Sequence, residues 1–213
     1  IALSIVFGEP DTGDPAADEE LATALADTGR VVLPALGEQD RVGGQLIETL
    51  PIPALAKAAA GIGHVDVELD PDGIARSVYL RAGLGSPYWP TLALALLEAA
   101  NPDARWALPD RRPTETNSSS PYLWRRDYRV LIPFAGPPGH FHHFSYGAVL
   151  RDAVSPASFR DKYVLIGATA SGMDDALPTP VSGLARLMPG VEFNANVLDA
   201  LQRHLRVRPL GAA

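Results

Sequence analysis

Cysteine is absent from all 213 residues. Disulfide scaffolds, thiolate-bound zinc and thiol catalysis are thereby excluded. Compartment stays open, because a cysteine-free chain suits a reducing cytoplasm and an oxidising exterior alike. Positive charge is short as well: 18 Lys and Arg stand against 25 Asp and Glu, a formal net charge of −7. Binding to phosphate backbones is driven by clustered cations, so nucleic acid is not an expected partner. Long hydrophobic runs are missing too. The longest apolar stretch, around 92–100, falls well short of the roughly 20 residues that span a bilayer. The chain starts at Ile1 with neither Met nor a basic-then-apolar leader, so it reads as a piece excised from a longer protein.

Glycine and proline are in excess, 19 and 20 residues, about 18% of the chain against a typical ~12%. Loops should therefore be numerous. With 46% hydrophobic residues the chain has enough apolar material for its own core, and 1–213 reads as a single domain.

The pattern along the chain is α/β. Residues 1–7 form a short apolar run closed by Gly8, Pro10, Gly13 and Pro15, a buried strand and its loop. Asp18 then precedes Leu21, Ala22 and Leu25 at helical spacing, with Gly29 as the stop. Residues 30–36 read as the next strand, which makes a strand-helix-strand unit and a parallel crossover. An Ala-rich helix at 52–60 follows. Residues 64–69 alternate, Asp70-Pro71-Asp72-Gly73 turns the chain, and 74–80 are β-prone again, the signature of a β-hairpin at about 63–81. Residues 88–100 are apolar nearly all round, a buried helix. Residues 101–127 carry no sustained period and read as an irregular excursion. Further on come a strand at 128–135, a short helix at 145–150, a strand at 162–168 that is the cleanest buried strand in the chain, a loop at 169–189 and a final helix from Gly190. The expected fold is a three-layer α/β domain: a mixed, mostly parallel sheet flanked by helices, plus the hairpin.

Several patterns touch on chemistry. Gly167 to Gly172 fits G-x-x-x-x-G, but no Lys-Ser/Thr follows, so a tight strand exit is the better reading than a phosphate cradle. Asp174 and Asp175 are paired carboxylates that either contact a ligand or metal or pin their loop through backbone N–H groups. Asp70-Pro71-Asp72-Gly73 starts like a calcium loop yet lacks the closing Glu, and a turn explains it. His140, His142 and His143 lie with Phe141 and Phe144 in a Gly/Pro-rich loop. Three imidazoles there, without a carboxylate at fixed spacing, make a weak zinc signal and leave a pH response open. G-x-S-x-G, H-E-x-x-H and S-x-x-K are all absent. No catalytic residue, metal site or cofactor is assigned, and a small α/β hydrolase is the least favoured reading.

The order and spacing of five segments resemble the CHASE type 2 domain, a sensory extracellular domain associated with cyclases and histidine kinases. These are G-I-G-H-V-D-V-E-L-D-P-D-G-I-A-R-S-V-Y-L (61–80), W-P-T-L-A-L-A-L-L (89–97), K-Y-V-L-I-G-A-T-A-S-G-M-D-D (162–175), T-P (179–180) and P-G-V-E-F-N-A-N-V-L-D-A-L (189–201). Within them His64, Asp70, Asp72, Gly73, Arg76, Gly167, Pro180, Pro189 and Gly190 stand as structural motif positions. The resemblance implies an extracytoplasmic (periplasmic or extracellular) sensor of a bacterial membrane receptor, flanked by transmembrane helices and followed by a cytoplasmic diguanylate or adenylate cyclase or kinase. Its signal would be an unknown small molecule or protein. The family commonly carries His where this chain has Asn194. A homodimer is possible, and an interaction or dimerisation module without a small ligand is the alternative. Ligands of parallel sheets gather outside the strands' carboxyl ends, so Thr169, Ser171, Asp174, Asp175 and Thr179, with Asn194 and Asn196 on the final helix, form the expected ligand-binding rim.

Overall fold

The structure, a computed structural model, describes residues 1–39, 44–104, 108, 120–170, 176–183, 186–205 and 207. In chain order the elements are β1 (Ala2–Ser4), α1 (Pro15–Thr28), β2 (Val32–Gln39), β3 (Leu46–Thr49), α2 (Pro53–Ala58), β4 (Gly61–His64), β5 (Ser77–Leu84), β6 (Trp89–Pro90), α3 (Leu92–Ala100), β7 (Trp124–Leu131), α4 (Tyr146–Leu150), β8 (Leu165–Gly167), β9 (Ala176–Leu177), β10 (Met188–Pro189) and α5 (Gly190–Gln202). The fold is mixed α/β, as the sequence pattern predicts.

Four parallel strands lie in the order β8, β1, β2, β4. The first half of β2 pairs with β4, and its second half, Leu36 to Gln39, pairs antiparallel with β3. A second sheet, antiparallel β6-β5-β7, meets the first at one isolated bridge, His64 to Thr91. Side chains alternate across the strands. Ile1 and Leu3 from β1 and its start, with Val31 and Leu33, join Leu21, Leu25 and Leu55 of α1 and α2 in one apolar cluster. Ala2 and Val32 belong to the other, with α3, Phe193 and Val197. The sheet is therefore the middle of three layers.

α3 is the keystone of the larger core. Leu92 through Leu97 are all buried, and each fully buried leucine contributes about 2 kcal/mol of transfer free energy. The helix comes this close because Gly63 of β4 has no side chain: a Cβ there would stand 2.7 Å from the Leu92 Cα and 2.9 Å from the Ala95 Cβ.

Four expectations are corrected. The cap of α1 is Asp14, whose side chain accepts from the Ala16 N–H at 3.2 Å, not Asp18. Pro15 at the first helical position, with its fixed φ, starts the helix a turn earlier. The strand after the excursion begins at Trp124, not at 128. β8 is shorter than expected and only half-buried, because among the described residues it pairs with β1 alone and so lies at the sheet edge. Finally, the turn at 70–73 exists, with the Gly73 N–H donating to the Asp70 carbonyl at 2.7 Å and the Asp70 N–H to Ile74 at 3.0 Å, yet its two arms do not pair. β4 pairs with β2, while β5 pairs with β6 and β7.

Charge explains what replaces the hairpin ladder. In segment 65–70 Val65 and Val67 pack on the core, while Asp66, Glu68 and Asp70 meet cations and a phenol of β5 and β7. Arg126 donates to both Asp66 oxygens at 2.5 and 2.8 Å. Tyr79 Oη donates to Glu68 at 2.7 Å, and Arg129 to Asp70 at 2.8 Å. Arg76 closes the turn with two bonds of 2.7 Å to Asp72 and one of 3.0 Å to Asp70. Alternating apolar and acidic residues read as one arm of a hairpin, but here the apolar face packs on the core and the polar face is satisfied by a lateral ion ladder. Asp66 is only 11% exposed, so Arg126→Ala strands a nearly buried carboxylate. The expected loss is about 2 kcal/mol in urea unfolding, with Arg126→Lys restoring less than half because the paired donor geometry is lost.

Candidate functional site

The strand order reverses at β1: the chain leaves β1 through α1 to β2 on one side, and β8 lies on its other side. In open α/β sheets the crevice at such a reversal, outside the strands' carboxyl ends, is where ligands bind. Here it is bordered by 5–14 after β1, by 168–170 after β8 and by the start of α5. Ile5 and Val6 are exposed at this edge, as is Thr169.

Gly167 is why α5 starts there. A Cβ on it would meet the Val191 Cβ at 2.6 Å and the Ser4 Cβ at 3.2 Å, so the first turn of α5 rests directly on the end of β8. A two-residue ladder, Leu177 with Met188 and Ala176 with Pro189, brings the chain to Pro189 and Gly190, the entry to the helix. The strand exit at Gly167 is thus a packing feature, in line with the structural reading of its glycine.

Of the expected rim residues, Ser171, Asp174 and Asp175 lie outside the described residues. Thr179 is buried, with its N–H donating to Ser182 Oγ at 2.8 Å and its own hydroxyl unpartnered; Pro180 beside it is exposed. Asn194 is buried and donates to the Gly190 carbonyl at 3.0 Å. Asn196 is fully engaged within the protein. Its amide donates to the Glu192 carbonyl at 2.9 Å and to Met188 sulfur at 3.4 Å, and its oxygen accepts from the Ala135 N–H at 2.9 Å. It ties segment 132–135 to α5, with both amide hydrogens and the oxygen engaged.

The residue that sequence reasoning missed is Glu192. Its carboxylate, on a residue 3% exposed, accepts from the Gly139 N–H at 2.8 and 3.0 Å and from the His140 N–H at 3.1 Å. His143 Nε2 stands 4.0 Å away. Gly139 reaches this position at φ +91°, a conformation glycine adopts freely. An acidic side chain in the first turn of a helix complements the helix dipole, and this was the available signal. Glu192 and Asn196, one turn apart, therefore clamp the 132–140 segment onto α5.

The histidine loop carries an aromatic chain: His142 to Phe144 at 4.8 Å and Phe144 to Phe159 at 5.2 Å. Among the described residues no His, Asp and Glu group is placed to hold a metal ion. No helix among them is long and apolar enough to cross a membrane.

His64 is the most perturbed titratable group near the join of the sheets. It is 0% exposed, and neither ring nitrogen has a hydrogen-bond partner. Burial pushes its pKa down to about 4, against the partial attraction of Asp66 and of the Tyr79 backbone.

Comparison with curated proteins and with solved structures returned no match. The family model of the CHASE2 domain, by contrast, matches residues 1–212. The segments behind the resemblance thus sit within one continuous match covering the sheet, the ion ladder and the α5 clamp. The chain belongs to the CHASE2 domain family, whose members are extracytoplasmic sensory domains found in cyclases and kinases.

Proposed function

We propose that this domain reads a signal outside the cytoplasm and relays it, through transmembrane helices flanking it in the full-length receptor, to a cytoplasmic cyclase or kinase. The observation that carries this reading is family membership across residues 1–212. The relay element is α5. Its first turn rests on the end of β8 at Gly167 and holds the 132–140 segment through Glu192 and Asn196. An event at the rim of Thr169, Ser171, Asp174, Asp175 and Thr179 that shifts this first turn would bias whatever follows α5, which is coupling between two states of one rigid element.

Thermal unfolding across a metabolite library tests the rim. A ligand that binds only the folded domain stabilises it by about 2.7 kcal/mol at a hundred times its Kd, and the same ligand should fail to stabilise the Asp174→Ala/Asp175→Ala variant. Silence across broad chemistry would shift the reading to an interaction or dimerisation module. One observation supports that second reading: Tyr146, Val149 and Leu150, at i, i+3 and i+4 of α4, share one helix face and are all exposed, Leu150 at 68%.

A further inference from the structure

His64 occupies a costly position. It is the last residue of β4, paired in parallel with Ala35 on one side and with Thr91 on the other, and the Thr91 bridge is where the parallel and antiparallel sheets meet. An imidazole with both nitrogens buried and unpartnered forfeits about 1–3 kcal/mol per orphaned group relative to an apolar side chain. A buried titratable group that costs stability in this way is a candidate for a functional role.

The surroundings say what that chemistry is. Asp66, two residues on, is the nearby acid, but it is already engaged by Arg126 of β7 at 2.5 and 2.8 Å. Arg81 of β5 and Arg126 both oppose a charge on His64, and Tyr79 of β5 offers only its backbone. Ala35 on the β2 side is apolar and fully buried, and Thr91 across the bridge is uncharged. Arg81 is itself engaged by Glu98 of α3 at 3.0 Å. A proton placed on this imidazole while the sheets are joined therefore meets two guanidinium groups, one committed carboxylate and the Tyr79 backbone, at a position 0% exposed to solvent.

We propose that His64 is an acid-responsive release at the join of the two sheets, making the proton itself a stimulus that the domain registers. This rests on the sensory reading above and names a signal for it. The neutral ring holds the join closed; the protonated ring is accommodated only when β4 and the β6–α3 corner separate and water reaches it. The direction follows from linkage. With the closed form titrating at about 4 and the open form near the ordinary 6.5, the open form binds more protons between these values. Protection is complete above about pH 6.5 and is lost as pH falls toward 4.

The test uses the 213-residue chain itself. Side-chain NMR should show His64 uncharged down to below pH 5. Amide exchange, corrected for its intrinsic pH dependence, should show opening at 61–64 and 89–91 rising about 60-fold between pH 7 and 4.5, with α1 and α2 unaffected over the same range. His64→Gln should abolish that extra rise. A His64 that titrates near 6.5, an unchanged opening, or an equal rise in His64→Gln overturns the proposal, and the first two readouts decide it in the unsubstituted protein if the variant does not fold. All of them are independent of cellular location, so a failure here leaves the sensory reading standing, and a cytoplasmic location would leave the switch standing.

Discussion

Gly167→Val will detach the first turn of α5 from the sheet and cost on the order of 3 kcal/mol in denaturant unfolding. The cause is steric. Even the first added carbon stands 2.6 Å from the Val191 Cβ, well inside the ~3.5–4.0 Å at which carbons attract, and two further methyl groups have nowhere to go. Overpacking of this kind costs about 1–3 kcal/mol or more because backbone must move. The cause can be isolated with a cycle: Gly167→Ala alone, Val191→Gly alone, and both, since only glycine at 191 removes the Cβ that is met at 2.6 Å. If the clash is the mechanism, the pair should be less harmful than the sum by at least about 1 kcal/mol, the coupling expected of side chains in contact. Additivity would place the damage elsewhere in β8. In a full-length receptor the variant should answer its stimulus poorly even at temperatures where it is folded, because the contact through which the rim moves α5 is gone.

Glu192→Ala should be about as costly, near 3 kcal/mol, by a different route. It removes the acceptor for the Gly139 and His140 N–H groups at once, leaving two donors at a buried helix end, and each orphan costs about 1–3 kcal/mol. Glu192→Gln keeps an acceptor oxygen and should lose only about 1 kcal/mol. The readout that separates a clamp from ordinary packing is local: limited proteolysis should find new cleavage within 136–144 in Glu192→Ala, while α1 and α2 stay resistant. The Asn196→Ala variant should loosen the neighbouring 132–135 stretch, since only its oxygen holds the Ala135 N–H.

How far the sequence could be read depends on what each pattern encodes. α3 was legible because burial on every side leaves a helix apolar all round, and its surroundings are core on the sheet side and α5 on the other. The parallel β1-α1-β2 unit was legible from periodicity and a glycine stop, with only the cap misplaced, since Asp14 and Asp18 are both acidic and proline at the first position decides between them. The hairpin was misread because alternation records which side chains face apart, not which strand lies alongside. An acidic row matched by arginines 60 residues away, Asp66 with Arg126, leaves the same trace as a cross-strand pair. β8 was misread as deeply buried because a Val-Leu-Ile run looks alike in a central strand and in an edge strand covered by one helix.

The elements that frame the candidate site were legible, and the contacts of its members less so. The strand-to-loop exit at Gly167 and the helix entry at Pro189 and Gly190 are local features and were found. The role of Glu192 is set by a glycine 53 residues earlier in the chain, a pairing that no local spacing announces. Asn196 looked like a ligand group for the same reason that it is a good clamp: an amide donates and accepts at once, and here both ends are taken. His64 was visible as a motif residue, while its lack of partners exists only in three dimensions.

Reading an outside signal requires the domain to lie outside the cytoplasm, and the absence of cysteine from these 213 residues makes that directly measurable. Tyr146 on α4 is 63% exposed and outside both apolar clusters, so Tyr146→Cys provides a single accessible thiol in this domain. In intact cells carrying the full-length protein, with its other cysteines replaced, a membrane-impermeant maleimide should label this position fully, and opening the cells should add nothing. Labelling that appears only after the cells are opened would contradict the account.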